Sequence, residues 1–104
     1  MTIEKLFYPR AVAVVGSTSK GKLGYELIRQ MLDGGYADVF AVNPKAQGAF
    51  SAPGYESVAQ VDRPVDLAVI VSPPRTVPGV LEDCGQADVG AAVIITAGFS
   101  EVGN

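Results

Sequence analysis

The sequence predicts an α/β fold built on a parallel β-sheet. Three observations carry this. Residues 11–15, 67–71 and 91–95 are apolar runs without alternation, the pattern of strands covered on both faces. Each run ends abruptly, at Gly16, at Ser72-Pro73-Pro74 and at Thr96-Ala97-Gly98. Between the runs lie segments whose apolar residues recur at helical spacing. Strands that alternate with helices pair in parallel through right-handed crossovers.

The first strand, residues 11–15, is made of small and β-branched residues and stops at Gly16. A helix is expected over residues 22–33. Leu23, Leu27, Ile28, Met31 and Leu32 share one face, and Lys22, Glu26, Arg29, Gln30 and Asp33 fall mostly elsewhere. Gly34-Gly35 is a natural stop. The second strand covers residues 39–42, inside Ala37-Asp38-Val39-Phe40-Ala41-Val42. Asn43-Pro44-Lys45 ends it, because proline brings no N–H to a central ladder.

Residues 46–54 are small, polar and glycine-bearing, and read as a loop. Residues 55–61 read as a short extended piece and one helical turn, with Ser57 as its cap. The third strand, residues 66–71, is terminated by Ser72-Pro73-Pro74. Thr76 then reads as the N-cap of a helix running to about Gly85, with Pro78 tolerated in its first turn. Val77, Val80, Leu81 and Cys84 form its apolar face, which makes Cys84 a core thiol rather than a nucleophile. Residues 91–95 are the fourth strand. A covering helix should follow it, yet only the segment from Phe99 to Asn104 remains. The expected organisation is one domain over residues 1–104, truncated at its C-terminal end and forming the N-terminal fragment of a larger polypeptide.

Bulk properties exclude several function classes. The 104 residues suffice for one core but not two. Hydrophobic content of 48% against 18% charged residues is globular rather than disordered. No apolar run approaches the ~20 residues that cross a bilayer, so no membrane role is expected. The segment from Met1 to Arg10 carries Glu4 and lacks an apolar signal core, and the single Cys84 can form no internal disulfide. Both fit a reducing cytoplasm. A net charge of −3 argues against a nucleic-acid partner, which favours a basic stripe. The chain has no histidine, so neither a Ser-His nor a Cys-His pair can form. A lone cysteine excludes a cysteine-rich zinc site. No catalytic residue and no metal ligand is expected within this chain.

In an open parallel sheet, ligands sit beyond the carboxyl ends of the strands. The strand ends at residues 16–24, Asn43-Pro44-Lys45, Ser72-Pro73-Pro74 and Thr96-Ala97-Gly98 should therefore converge on one crevice. The loop Ser17-Thr18-Ser19-Lys20-Gly21 leads into a helix start, where free N–H groups favour a phosphate. Its glycines, Gly16, Gly21 and Gly24, miss the dinucleotide spacing G-x-G-x-x-G, since Thr18 stands where the second glycine would be. They also miss the Walker A pattern, because Leu23 follows Lys22 where a hydroxyl should hold Mg²⁺. Taken alone, the loop is also compatible with a tight turn that holds no ligand. At the second strand end an NAD site offers an acidic residue for the ribose hydroxyls. Lys45 favours instead a phosphate-bearing ribose, as in coenzyme A or NADP.

Four segments in order carry a resemblance: Val12-Ala13-Val14-Val15-Gly16-Ser17, Val42-Asn43-Pro44-Lys45, Asp66-Leu67-Ala68-Val69-Ile70-Val71 and Ile95-Thr96-Ala97-Gly98-Phe99-Ser100-Glu101. Together they resemble the N-terminal CoA-binding domain of NDP-forming acyl-CoA synthetases, relatives of the succinyl-CoA synthetase α subunit. The same module begins many bacterial protein lysine acetyltransferases. The resemblance implies a Rossmann-like fold. It also implies that Gly16, Ser17, Thr18, Ser19, Lys20 and Gly21 hold the CoA phosphates and ribose. Lys45 would pair with a CoA phosphate, Ser72 and Pro73 would line the adenine and pantetheine side, and Thr96 and Ala97 would lie along the pantetheine arm. Ala97 departs from the relatives, which carry an acidic residue there. Ligase chemistry in this family passes a phosphoryl group through a histidine on a later domain, with ATP, ADP and Mg²⁺ on an ATP-grasp part. This chain would then supply CoA or acyl-CoA to those ligase and ATP-grasp domains or subunits. The alternatives are a CoA-sensing regulatory domain of a protein lysine acetyltransferase and an NAD(P)-binding oxidoreductase fragment.

Overall fold

The computed structural model describes residues 9–36 and 38–95. Among them, five strands form one parallel sheet: β1 (Ala11–Val15), β2 (Asp38–Val42), β3 (Gly54–Tyr55), β4 (Leu67–Ile70) and β5 (Ala91–Ile94), in the order β3-β2-β1-β4-β5. β1 lies at the centre, with Val12 opposite both Val39 of β2 and Leu67 of β4. All five of its residues are buried, as a strand covered on both faces requires.

Alternation along the strands sorts the core into two layers. Ala11, Ala13, Val15, Phe40, Val42, Ala68 and Ile70 face helix α2 (Val77–Gln86), through Cys84, and the 3₁₀ turn Val58–Gln60. Val12, Val14, Val39, Ala41, Leu67 and Val69 face helix α1 (Leu23–Asp33), through Ile28. The molecule is a Rossmann-like α/β domain with a helix on each side of its sheet.

The short extended piece expected near Tyr55 is a fifth strand, β3, paired in parallel with β2 through Ala41 opposite Gly54 and Val42 opposite Tyr55. Ser57 caps the following turn as expected, accepting from the Ala59 N–H at 3.1 Å. Gln60 completes the capping box through Oε1, which accepts the Ser57 N–H at 3.4 Å and also the Glu56 N–H at 2.9 Å. The loop over residues 46–54 is pinned by two backbone hydrogen bonds between Ala49 and Ala52, of 2.9 and 3.1 Å.

Two expectations need correction. Thr76 is not a side-chain cap. Pro74 opens a 3₁₀ turn, Pro74–Thr76, so Thr76 already has helical angles and its hydroxyl donates back to the Pro73 carbonyl at 2.6 Å. A proline's fixed φ starts the turn before the threonine is reached. Leu81 does not belong to the buried face and is 41% exposed. It falls at the margin of the stripe formed by Val77, Val80 and Cys84, beyond the width the sheet covers. On α1, Leu23 is likewise exposed, while Gly24 and Ile28 are the buried residues. Thr96, Ala97, Gly98 and the question of a cover beyond them lie outside the described residues. Among the described residues no helix is long and apolar enough to cross a membrane.

Candidate functional site

The chain leaves β1 for α1 on one face of the sheet and leaves β4 for α2 on the other. Loops that diverge in this way open a crevice above the strand ends. The structure has one there, of about 370 Å³, bounded by the ends of β1, β2 and β4.

The first wall is the loop after β1. The Gly16 N–H donates to the Val42 carbonyl at 2.8 Å, tying the loop to β2. The Ser19 N–H donates to Ser17 Oγ at 3.2 Å, and the Lys22 N–H to the Ser19 carbonyl at 3.0 Å. Lys22 caps α1 without a side-chain hydrogen bond, which leaves first-turn N–H groups available to an anion. Thr18 is buried, and its hydroxyl donates to the Gln47 carbonyl at 3.0 Å.

The second wall is the turn after β2. The Ala46 N–H donates to the Asn43 carbonyl at 2.9 Å, which closes a β-turn with Pro44 and Lys45 at its corners. Asn43 Nδ2 donates to the Gln47 carbonyl at 2.9 Å, and its Oδ1 accepts the Gln47 N–H at 3.0 Å. Lys45 is exposed and lines the crevice. The third wall follows β4, where the Ser72 and Thr76 hydroxyl oxygens lie at hydrogen-bond distance, 2.7 Å, beside Pro73. Val58 and Val80 line the crevice with apolar surface.

Gly16, Ser17, Thr18, Ser19, Lys45, Ser72 and Pro73 thus border one space. Lys20 and Gly21, at the exposed tip of the first loop, do not line it. Thr96 and Ala97 lie outside the described residues. Sequence reasoning missed Arg75, a second cation directly after the strand-ending prolines, and also Gln47, Glu56 and Asp83. Arg75 had a signal in its position at a strand end. Glu56 and Asp83 had none, because β3 and α2 bring them to the crevice from remote parts of the chain.

A protein-family model described as a CoA binding domain matches residues 10–102. The chain belongs to this family of CoA-binding domains. It is 46% identical over 103 residues to the ADP-forming acetate–CoA ligase of Methanocaldococcus jannaschii, covering 98% of this chain and 14% of that protein. It is 42% identical to the α subunit of the ADP-forming acetate–CoA ligase I of Pyrococcus furiosus, covering 99% of this chain and 24% of that subunit. Its fold matches the dinucleotide forming acetyl-coenzyme A synthetase 1 of Ca. Korarchaeum cryptofilum in the apo form. That match has a TM-score of 0.85 and 43% identity, and it covers 99% of this chain and 23% of that one. The chain therefore spans under a quarter of the length of these relatives.

The crevice of this CoA-binding domain offers loop N–H groups, hydroxyls, an ammonium, a guanidinium and the carboxylates of Glu56 and Asp83, with apolar surface from Val58 and Val80. Cys84 is a free thiol on the buried face of α2. Burial, with a smaller push from the Asp83 charge, raises its pKa and keeps it protonated.

Proposed function

We propose that this domain holds coenzyme A across the crevice and presents its thiol to a reaction centre on other domains of an ADP-forming acyl-CoA synthetase. The supporting observation is the facing of two anion-favouring elements at the sheet's switch point. These are the Gly16–Ser19 loop at a helix start and Lys45 on the turn after β2. The likeness to ADP-forming acetate–CoA ligases over nearly the whole chain supports the choice of ligase.

In this reading the backbone of Gly16, Ser17, Thr18 and Ser19 surrounds the CoA phosphates, with Lys20 and Gly21 at the loop tip. Lys45 pairs with the ribose 3′-phosphate. Ser72 and Pro73 line the adenine and pantetheine side, and Thr96 and Ala97 follow the pantetheine arm. Residues 1–104 form the N-terminal part of a larger polypeptide in the cytoplasm. ATP, ADP and Mg²⁺ are handled by its other domains or subunits, and this chain contributes no catalytic group.

A thermal-shift titration of CoA against NADP tests the proposal. A ligand at one hundred times its Kd stabilises by about 2.7 kcal/mol, which raises Tm by roughly 10 °C or more in a domain of this size. CoA should produce that shift and NADP should not. A shift with NADP alone, or with neither, overturns the reading.

A further inference from the structure

Among the described residues, Thr18 and Asn43 are the two buried polar side chains, 6% and 7% exposed. Both bind the same atom. The Gln47 carbonyl oxygen accepts Thr18 Oγ1 at 3.0 Å and Asn43 Nδ2 at 2.9 Å. Gln47 in turn donates its N–H to Asn43 Oδ1 at 3.0 Å. A buried polar group is costly unless it is hydrogen-bonded, and a satisfied buried network allows one arrangement. This network joins the loop after β1 to the turn after β2, across 29 residues of sequence.

Lys45 lies inside that closed segment. Its turn is shut by the Ala46 N–H to the Asn43 carbonyl and again by Gln47 to the Asn43 side chain. The hydroxyl hydrogen of Thr18 is spent on Gln47 and is not offered to a ligand.

We infer that Thr18 and Asn43 are positioning residues that set the base of the Lys45 side chain against the first loop, and so determine the preference for a phosphorylated ribose. The inference rests on the proposed pairing of Lys45 with the 3′-phosphate of coenzyme A. A lysine is a point charge on a flexible four-carbon stem, so its selectivity depends on where the stem begins. The sequence trace of the device is a threonine at the position of the second glycine in a dinucleotide loop.

Isothermal titration of CoA and 3′-dephospho-CoA against wild type, Thr18→Val, Thr18→Ser, Lys45→Ala and Thr18→Val/Lys45→Ala tests this. Thr18→Val should weaken CoA about threefold to tenfold, the range of one hydrogen bond, and change 3′-dephospho-CoA less than about twofold. Thr18→Ser should restore the preference. With Lys45→Ala already present, Thr18→Val should alter the preference no further, the coupling expected of residues acting as one unit. Equal weakening of both ligands, or no effect, overturns the positioning role and leaves the CoA reading standing. A wild type that binds both ligands equally overturns it through Lys45. A wild type that binds neither overturns the proposed function itself. Should Thr18→Val not fold, amide exchange in the wild type decides. The Gln47 N–H should be protected, and exchange at the rate of an open loop overturns the inference.

Discussion

A β-carbon placed on Gly24 would lie 2.4 Å from the carbonyl oxygen of Ser17. The first turn of α1 thus rests directly on the backbone of the loop that borders the crevice. Gly24→Ala gains about 1 kcal/mol in helix propensity, but the clash is with rigid backbone, and overpacking of this kind costs about 1–3 kcal/mol. A net fall of several degrees in Tm is expected in a thermal melt, with weaker CoA binding as the loop is displaced. Gly21 is different. It has φ +90° and open space around it, so Gly21→Ala costs only backbone strain, about 1–2 kcal/mol, and should leave the fold intact.

Lys45→Ala removes an exposed ammonium from the crevice rim. Its effect should fall on the phosphate and not on the fold. A charge-assisted hydrogen bond is worth about 1.5–3 kcal/mol, with exposure pulling the value to the lower end, so CoA should weaken about tenfold. The affinity for 3′-dephospho-CoA should barely change, and Tm should stay within about 2 °C of wild type. Equal losses for both ligands in a titration would remove the 3′-phosphate role from Lys45.

Ile28 and Leu81 look alike in sequence, each an apolar residue on a helical face, but Ile28 is 0% exposed and Leu81 is 41% exposed. Ile28→Ala leaves a cavity between α1 and the sheet and should cost about 2–5 kcal/mol. Leu81→Ala should cost under about 1 kcal/mol, since much of its surface is already in water. Urea unfolding of the two variants checks the ranking, and a larger loss at Leu81 would contradict the packing described.

The Cys84 thiol is raised by burial and, less strongly, by Asp83. Its folded pKa thus exceeds its unfolded one. The resulting stability is complete below the ordinary thiol range, and it is lost as pH rises past that range and the unfolded chain ionises first. The stability difference between wild type and Cys84→Ala should therefore shrink between about pH 7 and 10 in urea titrations. Iodoacetamide should label Cys84 rapidly in the unfolded chain and slowly in the folded one.

The strands were legible because a buried parallel strand writes its environment into every residue. β1, β4 and β5 are apolar without alternation, and each stops at glycine or proline or at a small polar residue. β3 showed only as an extended piece, since two residues are too few to display a period. The width of the cover over α2 is a property of the packed sheet, so Leu81 could be placed on a helix face but not judged buried or exposed. Thr76 misled for a local reason, because Pro74 begins the turn two residues earlier.

The sequence by itself determined the α/β class, the loop at the head of α1, Lys45 at the neighbouring strand end and the absence of histidine from any chemistry. Those features are contiguous or compositional, so no packing is needed to read them. Only the tertiary structure decided that Thr18 and Asn43 share the Gln47 carbonyl, and that Val58, Arg75, Val80 and Asp83 meet the same crevice. Contacts between residues far apart in the chain depend on strand order and register. Both are set by how two helices and a sheet bury their apolar faces together, and no local spacing records the outcome.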